Sequence, residues 1–151
     1  DHPTVNESLA IVDYTNTKDD PAVYGVVSGE EESIDGNRYY DVGVLSAVFP
    51  KYDGINRKII NSLGEGAVWV CPLGGNFING DYITSSTIPG YGQKQDDNIL
   101  HNYTVAKITC DMDFNNIPTN WKTRYVDMNG LSTNNISDNL CVLTGCTYHC
   151  G

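Results

Sequence analysis

The sequence is poor in positive charge: 9 Lys and Arg stand against 19 Asp and Glu over 151 residues, a net charge of −10. Nucleic acids and anionic membrane surfaces recruit proteins through a basic footprint, so neither is expected as a partner. The acidity is read first as solubility. No apolar run approaches the ~20 residues a helix needs to cross a bilayer. The opening Asp1-His2-Pro3 has neither the basic nor the apolar region of a secretory signal, nor an initiator methionine. The chain is therefore expected to be a fragment or a processed product. Helical patterning is equally scarce. No segment carries a 3.6-residue apolar stripe for more than two turns, and only residues 93–101 are expected to form even one helical turn.

What is present points to strands. Glycine is abundant at 15 residues and tyrosine at 10, against 3 phenylalanines. Tyrosine buries its ring and keeps its hydroxyl wet, which suits half-buried strands and interfaces. Short β-friendly runs recur at residues 8–14, 22–29, 40–49, 57–63, 66–73, 81–86, 102–112, 122–128 and 139–150. Turn signals separate them: Asp35-Gly36 inside the charged stretch 30–40, then Asn79-Gly80 and Pro89-Gly90. Strands at this spacing predict a mainly β fold, a compact antiparallel sandwich or barrel-like domain with little helix. Gly25 interrupts its run and predicts a bulge or a close backbone approach. Pro89-Gly90 predicts a type II turn. The expected organisation is a β-rich domain over 1–114. A C-terminal hairpin or arm over 115–151 either stands apart or belongs to the same domain.

Few constellations could carry chemistry. The glycine pair in "PLGGNF" (72–77) precedes another strand instead of a helix, so it is read as a turn and not a phosphate cradle. The three histidines, His2, His101 and His149, have no G-x-S-x-G or comparable nucleophile beside them. Acidic runs such as 30–32 are read as solvated faces. The five cysteines cannot all pair within one chain. Cys71 and Cys110 lie in apolar runs and are read as buried thiols of a chain folded in a reducing cytoplasm. Cys141, Cys146, His149 and Cys150 place soft ligands close together; a disulfide or buried thiols are expected there ahead of a metal, and zinc is the one metal considered. No other cofactor is expected.

Several phrases together carry a resemblance. "VNESLAIVDYTNTKDDPAVYGVVS", "RKIINSLGEGAVWVC", "NGDYITSSTIPGYGQKQDDNILHNYTVAKITCDMDF" and the closing "GCTYHCG" resemble the C-terminal intramolecular-chaperone autocleavage (peptidase G2-like) domain of bacteriophage and large-virus fibre or tailspike-like proteins. The likeness covers most of residues 5–114 and the last seven; residues 115–140 match nothing in that pattern. It implies a homotrimerisation and folding module at the end of a phage tail fibre or tailspike, a structural protein of the virion surface. Its partners would be sister copies and the upstream shaft of the same polypeptide. It implies, as an alternative, a single-turnover autoproteolytic endopeptidase cutting its own chain before Asp1, with no activity on outside substrates. Asp1 matches the residue after such a cut and Glu7 is the nearby acid, whereas Thr4 stands about where the family has its own. A further alternative is a module binding a glycan receptor or a capsid partner through tyrosine-rich loops.

Overall fold

The computed structural model describes residues 12–30, 33–34, 37–42, 45–50 and 58–149. The fold is mainly β, as expected, and its principal unit is a seven-stranded mixed sheet. Five short strands precede or flank that sheet: β1 (Val26–Glu30), β2 (Ser33–Ile34), β3 (Asn37–Val42), β4 (Leu45–Pro50) and β5 (Lys58–Asn61). β1 and β5 make an antiparallel ribbon, and β2, β3 and β4 a small antiparallel sheet. The run 40–49, expected as one strand, is two. Val42 of β3 pairs with Leu45 of β4, so the chain reverses between them. The apolar continuity of the run conceals that reversal. Gly25 marks a close approach as expected: a Cβ there would meet the Ile60 side chain and stand 2.7 Å from the Asn61 carbonyl oxygen.

The main sheet contains β6 (Leu63–Val70), β7 (Tyr82–Ser85), β8 (Gly92–Lys94), β9 (Thr104–Ile108), β10 (Thr123–Val126), β11 (Ser132–Thr133) and β12 (Asn139–His149). The strand order is β11-β10-β12-β6-β8-β7-β9, and β9 pairs back onto β12. Five strands therefore close into a ring, β12-β6-β8-β7-β9, with β10 and β11 attached outside. The barrel expectation fits this ring, except that β6 and β8 run parallel. Segment 115–149 is built into it, since β12 lies against β6, β9 and β10.

Alternation builds the core on β12, while β9 buries Thr104, Val105, Ala106 and Ile108 and exposes Lys107 alone. Along β12, Val142, Thr144, Cys146 and Tyr148 are buried. These side chains meet Val68, Val70, Phe77, Ile83 and Met112 in the main core. A second, smaller cluster of Cys71, Ile88, Tyr91, Val126 and Cys141 lies on the other face of β12, with Trp69 against it. Strand burial on both faces at its beginning explains why residues 140–143, Leu-Cys-Val-Leu, are continuously apolar.

Turns follow their residue chemistry. The Tyr91 N–H donates to the Ile88 carbonyl at 3.1 Å and Gly90 has φ +84°, the type II geometry that favours glycine at this place. Gly80 has φ +97° in the 78–81 turn, closed by the Asp81 N–H on the Ile78 carbonyl at 2.9 Å. The "PLGG" segment forms a single 3-10 turn, Pro72–Gly74. No helical turn forms over residues 93–101. Gln93 and Lys94 belong to β8, and bends follow. Gln95 is the reason: it is buried and its amide ties the loop (below), which a solvated helical turn would forfeit.

The ring has one imperfect seam. β8 meets β6 only at Val70, opposite Gly92. Backbone groups of a strand point alternately to its two edges, and the Cys71 N–H points to the β8 side, onto the Gly92 carbonyl. By that period Ala67 also points its N–H and C=O into the seam, where β8 does not reach. The Tyr148 hydroxyl fills the place: it donates to the Ala67 carbonyl at 2.7 Å and accepts from the Ala67 N–H at 2.9 Å. Its ring lies over Gly66, where any Cβ would collide with it.

Replacing Tyr148→Phe should leave both Ala67 groups without that partner and cost about 1–3 kcal/mol, read as a lower urea midpoint with unchanged slope. Gly66→Ala should destabilise strongly beside Tyr148 and much less in a Tyr148→Ala background. Additive costs in that double-mutant cycle would contradict the contact.

Candidate functional site

Candidate functional features fall in three places, and the first holds the residues singled out from the sequence. Asp1 and Glu7 lie outside the described residues, as does Cys150. Cys141, Cys146 and His149 all sit on β12, but the strand separates them. Cys146 points into the main core and Cys141 into the second cluster on the opposite face. His149 is eight residues beyond Cys141, roughly 27 Å along an extended strand. Its Nε2 is 3.1 Å from the Thr147 hydroxyl and its ring meets Tyr82 edge-on at 6.1 Å. Among the described residues, no three His, Cys, Asp or Glu side chains converge as a metal site would require.

The second place is the loop after β8. Gln95 is buried, and its Nε2 donates to the Asp97 carboxylate at 2.9 Å, the Ile99 carbonyl at 2.7 Å and the Asp97 carbonyl at 3.2 Å. Its Oε1 accepts from the Thr104 hydroxyl at 2.6 Å, and that hydroxyl accepts from the His101 N–H. The Asp97 carboxylate also receives the Ile99 N–H and stands 3.0 Å from His101 Nε2. The His101 ring stacks on Tyr103 at 4.5 Å. The hydrogen bond from His101 holds the Asp97 carboxyl below its ordinary value, helped by the Ile99 N–H and Gln95. A carboxylate-oriented imidazole can move a proton. Among the described residues, however, no serine or cysteine is hydrogen-bonded to His101, so the nucleophile of a triad is missing. What the network does is hold a rigid loop with Ile99 and Leu100 on its outside, 61% and 57% exposed.

The third place is an unpaired edge. The first half of β6, residues 63–67, is exposed, and Leu63 is 77% exposed. β12 covers one edge of this stretch. Among the described residues no strand of the main sheet covers the other until Val70. Tyr148 satisfies Ala67 there, but Glu65 and Leu63 point their backbone groups outward. Exposed aliphatic side chains continue on the β1–β5 ribbon that leads into β6, with Val27 and Ile59. Gly64, at φ +100°, allows the strand to bend between the ribbon and the ring. An edge of this kind pairs readily with another chain.

Elsewhere a shallow groove of about 270 Å³ beside β10 is lined by Phe114, Pro118, Trp121, Thr123 and Tyr125. Above the second cluster, the Arg124 guanidinium lies 3.7 Å from the Trp69 ring centroid and 5.6 Å from that of Tyr91. Sequence reading missed the Gln95 loop and the β6 edge, because both depend on which distant strand ends where.

No protein-family model, no curated protein and no solved structure matches this chain.

Asp97→Asn should loosen the loop at neutral pH, read as faster amide exchange at Ile99 and Leu100 with the remainder of the ring unchanged. The wild type should lose the same order in acid. Because the folded carboxyl is held low, its contribution is present above the ordinary value of 3.8 and is lost as pH falls through the lowered one.

Proposed function

We propose that this chain is a homotrimerisation and folding module of a fibre-like structural protein of a virus or bacteriophage, the reading that its resemblance implies. The observation that supports self-assembly is the edge at residues 63–67. Among the described residues, a ring that is otherwise closed keeps one strand edge and an adjoining aliphatic ribbon exposed. Soluble β proteins normally blunt such edges with lysine, proline or a covering segment, and here one glutamate, Glu65, is the only charged residue on it. A sister chain is the occupant with matching chemistry, since a strand at this edge would meet the same backbone groups and aliphatic side chains that each copy displays.

The physical task fits. Long trimeric β-fibres have high contact order, so aligning three chains is slow and leaves edges exposed to aggregation. A small domain that folds fast and associates at one end raises the local concentration of the other chains there. Function at the virion surface, with the upstream shaft of the same polypeptide as partner, belongs to the same proposal. A second reading, a glycan-binding module, has in its favour the open groove lined by Trp121, Thr123 and Tyr125. A glycan array on the isolated chain separates the two.

Sedimentation of the purified chain should give a particle three times the 16.6 kDa protomer at micromolar concentration. Leu63→Asp, which places a second acid on the edge without touching the core, should shift that particle towards monomer while the β spectrum is kept. A wild-type chain that sediments as a folded monomer at every concentration would refute the proposal.

A further inference from the structure

Register brings Cys71 and Cys141 together. β12 pairs with β6 so that Val142 faces Val70, and one step further along the same antiparallel ladder Cys141 faces Cys71. Both are fully buried, and both belong to the cluster with Ile88, Tyr91 and Val126, so their side chains leave the sheet on one face.

Hydrogen-bond direction fixes which kind of pair this is. The N–H and C=O of a strand residue point to the same edge. The Cys71 N–H donates to the Gly92 carbonyl at 2.8 Å, on the β8 side. Two residues from Cys141, and therefore on its edge, the Leu143 N–H donates to the Lys122 carbonyl at 3.0 Å, on the β10 side. Cys141 itself faces Arg124 of β10. Each cysteine thus turns its backbone bonding groups away from the other. This is the non-hydrogen-bonded position of an antiparallel ladder, where facing Cα atoms are about 4.5 Å apart and side chains approach most closely. A disulfide spans Cα separations of roughly 4.4–6.8 Å.

We infer that Cys71 and Cys141 form a disulfide site, a covalent clamp between β6 and β12 that a low-molecular-weight disulfide of the glutathione type closes. One cysteine thiolate attacks a sulfur of glutathione disulfide, forming a mixed disulfide and expelling a glutathione thiolate. The second cysteine, as thiolate, attacks the cysteine sulfur of the mixed disulfide and expels the second glutathione thiolate. Two protein thiols lose two electrons, one glutathione disulfide gains them, and the two cysteine protons end on the departing thiols.

The surroundings set when this happens. Burial pushes the Cys141 thiol up to about 12, the neighbouring Cys71 adds to the rise and the Arg124 charge opposes it. Burial raises Cys71 as well. Few thiolates exist in the closed protein, so exchange is slow until the second cluster opens or while the chain folds. The other described cysteines are placed elsewhere. Cys146 points into the main core on the far side of β12, and the Cys110 sulfur lies 3.4 Å from the Thr144 hydroxyl in a different part of the ring.

The test uses the full chain, once as folded reduced protein held in glutathione disulfide and once refolded from urea in the same buffer. Trapping with N-ethylmaleimide and intact mass spectrometry count the remaining thiols, and a digest identifies the linked peptides. The expected result in the refolded arm is a loss of two thiols and one Cys71–Cys141 link, with a raised urea midpoint that reduction reverses. The folded arm gives the same link more slowly. Cys71→Ser and Cys141→Ser each abolish the link, and Cys110→Ser leaves it. Thiols that remain fully trappable in both arms overturn the inference, as does a link from either cysteine to Cys110, Cys146 or Cys150.

Discussion

The fold depends on the two edges of β12. Along one edge the strand pairs continuously with β6, from Val142 opposite Val70 to His149 opposite Leu63. The other edge is shared: residues 139–142 pair with β10 and residues 146–148 with β9. This division closes the five-stranded ring and at the same time attaches the β10–β11 hairpin outside it. Between the two partners, at residues 143–145, the Leu143 N–H reaches the Lys122 carbonyl, and the Gly145 carbonyl accepts the Thr109 N–H at 3.3 Å. The handover thus gives the Leu143 N–H and the Gly145 carbonyl partners although no strand of the sheet pairs with them there. Both faces of β12 are buried at its beginning, with Val142 in the main core and Cys141 in the second, so a slip of one residue would exchange the two cores.

Polar groups inside the ring are managed by side chains wherever strands fall short. Tyr148 substitutes for the missing end of β8 at Ala67. Ser86 accepts from the Ile88 N–H and donates to the Tyr91 carbonyl at 2.6 Å, which sets the entry of the type II turn. On β7, Thr84 donates to the Asp19 carboxylate at 2.8 Å and Ser85 to the Thr17 carbonyl at 2.6 Å, so the segment before β1 is strapped across the sheet by buried hydroxyls. Such bonds contribute little net stability each, but a lost partner exposes the full desolvation cost of the other. The arrangement therefore specifies one conformation more strongly than it stabilises it.

What could be read from the sequence was local. The strand within 102–112, the glycine turns after Pro89 and Asn79, and the mainly β class all rest on neighbours within a few residues. Single strands were legible for the same reason: side-chain period needs no partner. The reversal between Val42 and Leu45 was hidden because the one turn-forming residue between them, Gly43, stands directly between two valines with no Asn, Asp or Pro adjoining it. The 93–101 segment looked helical because Gln, Lys and Asp tolerate helices. Gln95 acts instead through Thr104, nine residues away, and through Asp97 and Ile99. Cys141, Cys146 and His149 looked clustered because sequence distance was taken for spatial distance. On an extended strand an odd spacing puts Cys141 and Cys146 on opposite faces. The pairing of Cys71 with Cys141, 70 residues apart, follows only from the β6–β12 register.

The seam between β6 and β8 links the fold to the proposed role. A ring in which β8 continued along β6 would have no edge and no reason to associate. Here β8, parallel to β6, begins only at Gly92, straight after the Pro89–Gly90 turn, so among the described residues no strand of the main sheet lies beside the outer half of β6. Tyr148 satisfies the part of the seam nearest the core, at Ala67, through its hydroxyl. Beyond it, Glu65 and Leu63 keep their ladder groups outward, next to the aliphatic side chains of the β1–β5 ribbon. The core is thereby independent of the edge: the ring closes through β9 and β12 whether or not anything pairs with residues 63–67. A chain built this way can fold first and associate afterwards, which is the order of events that registering three long fibres demands.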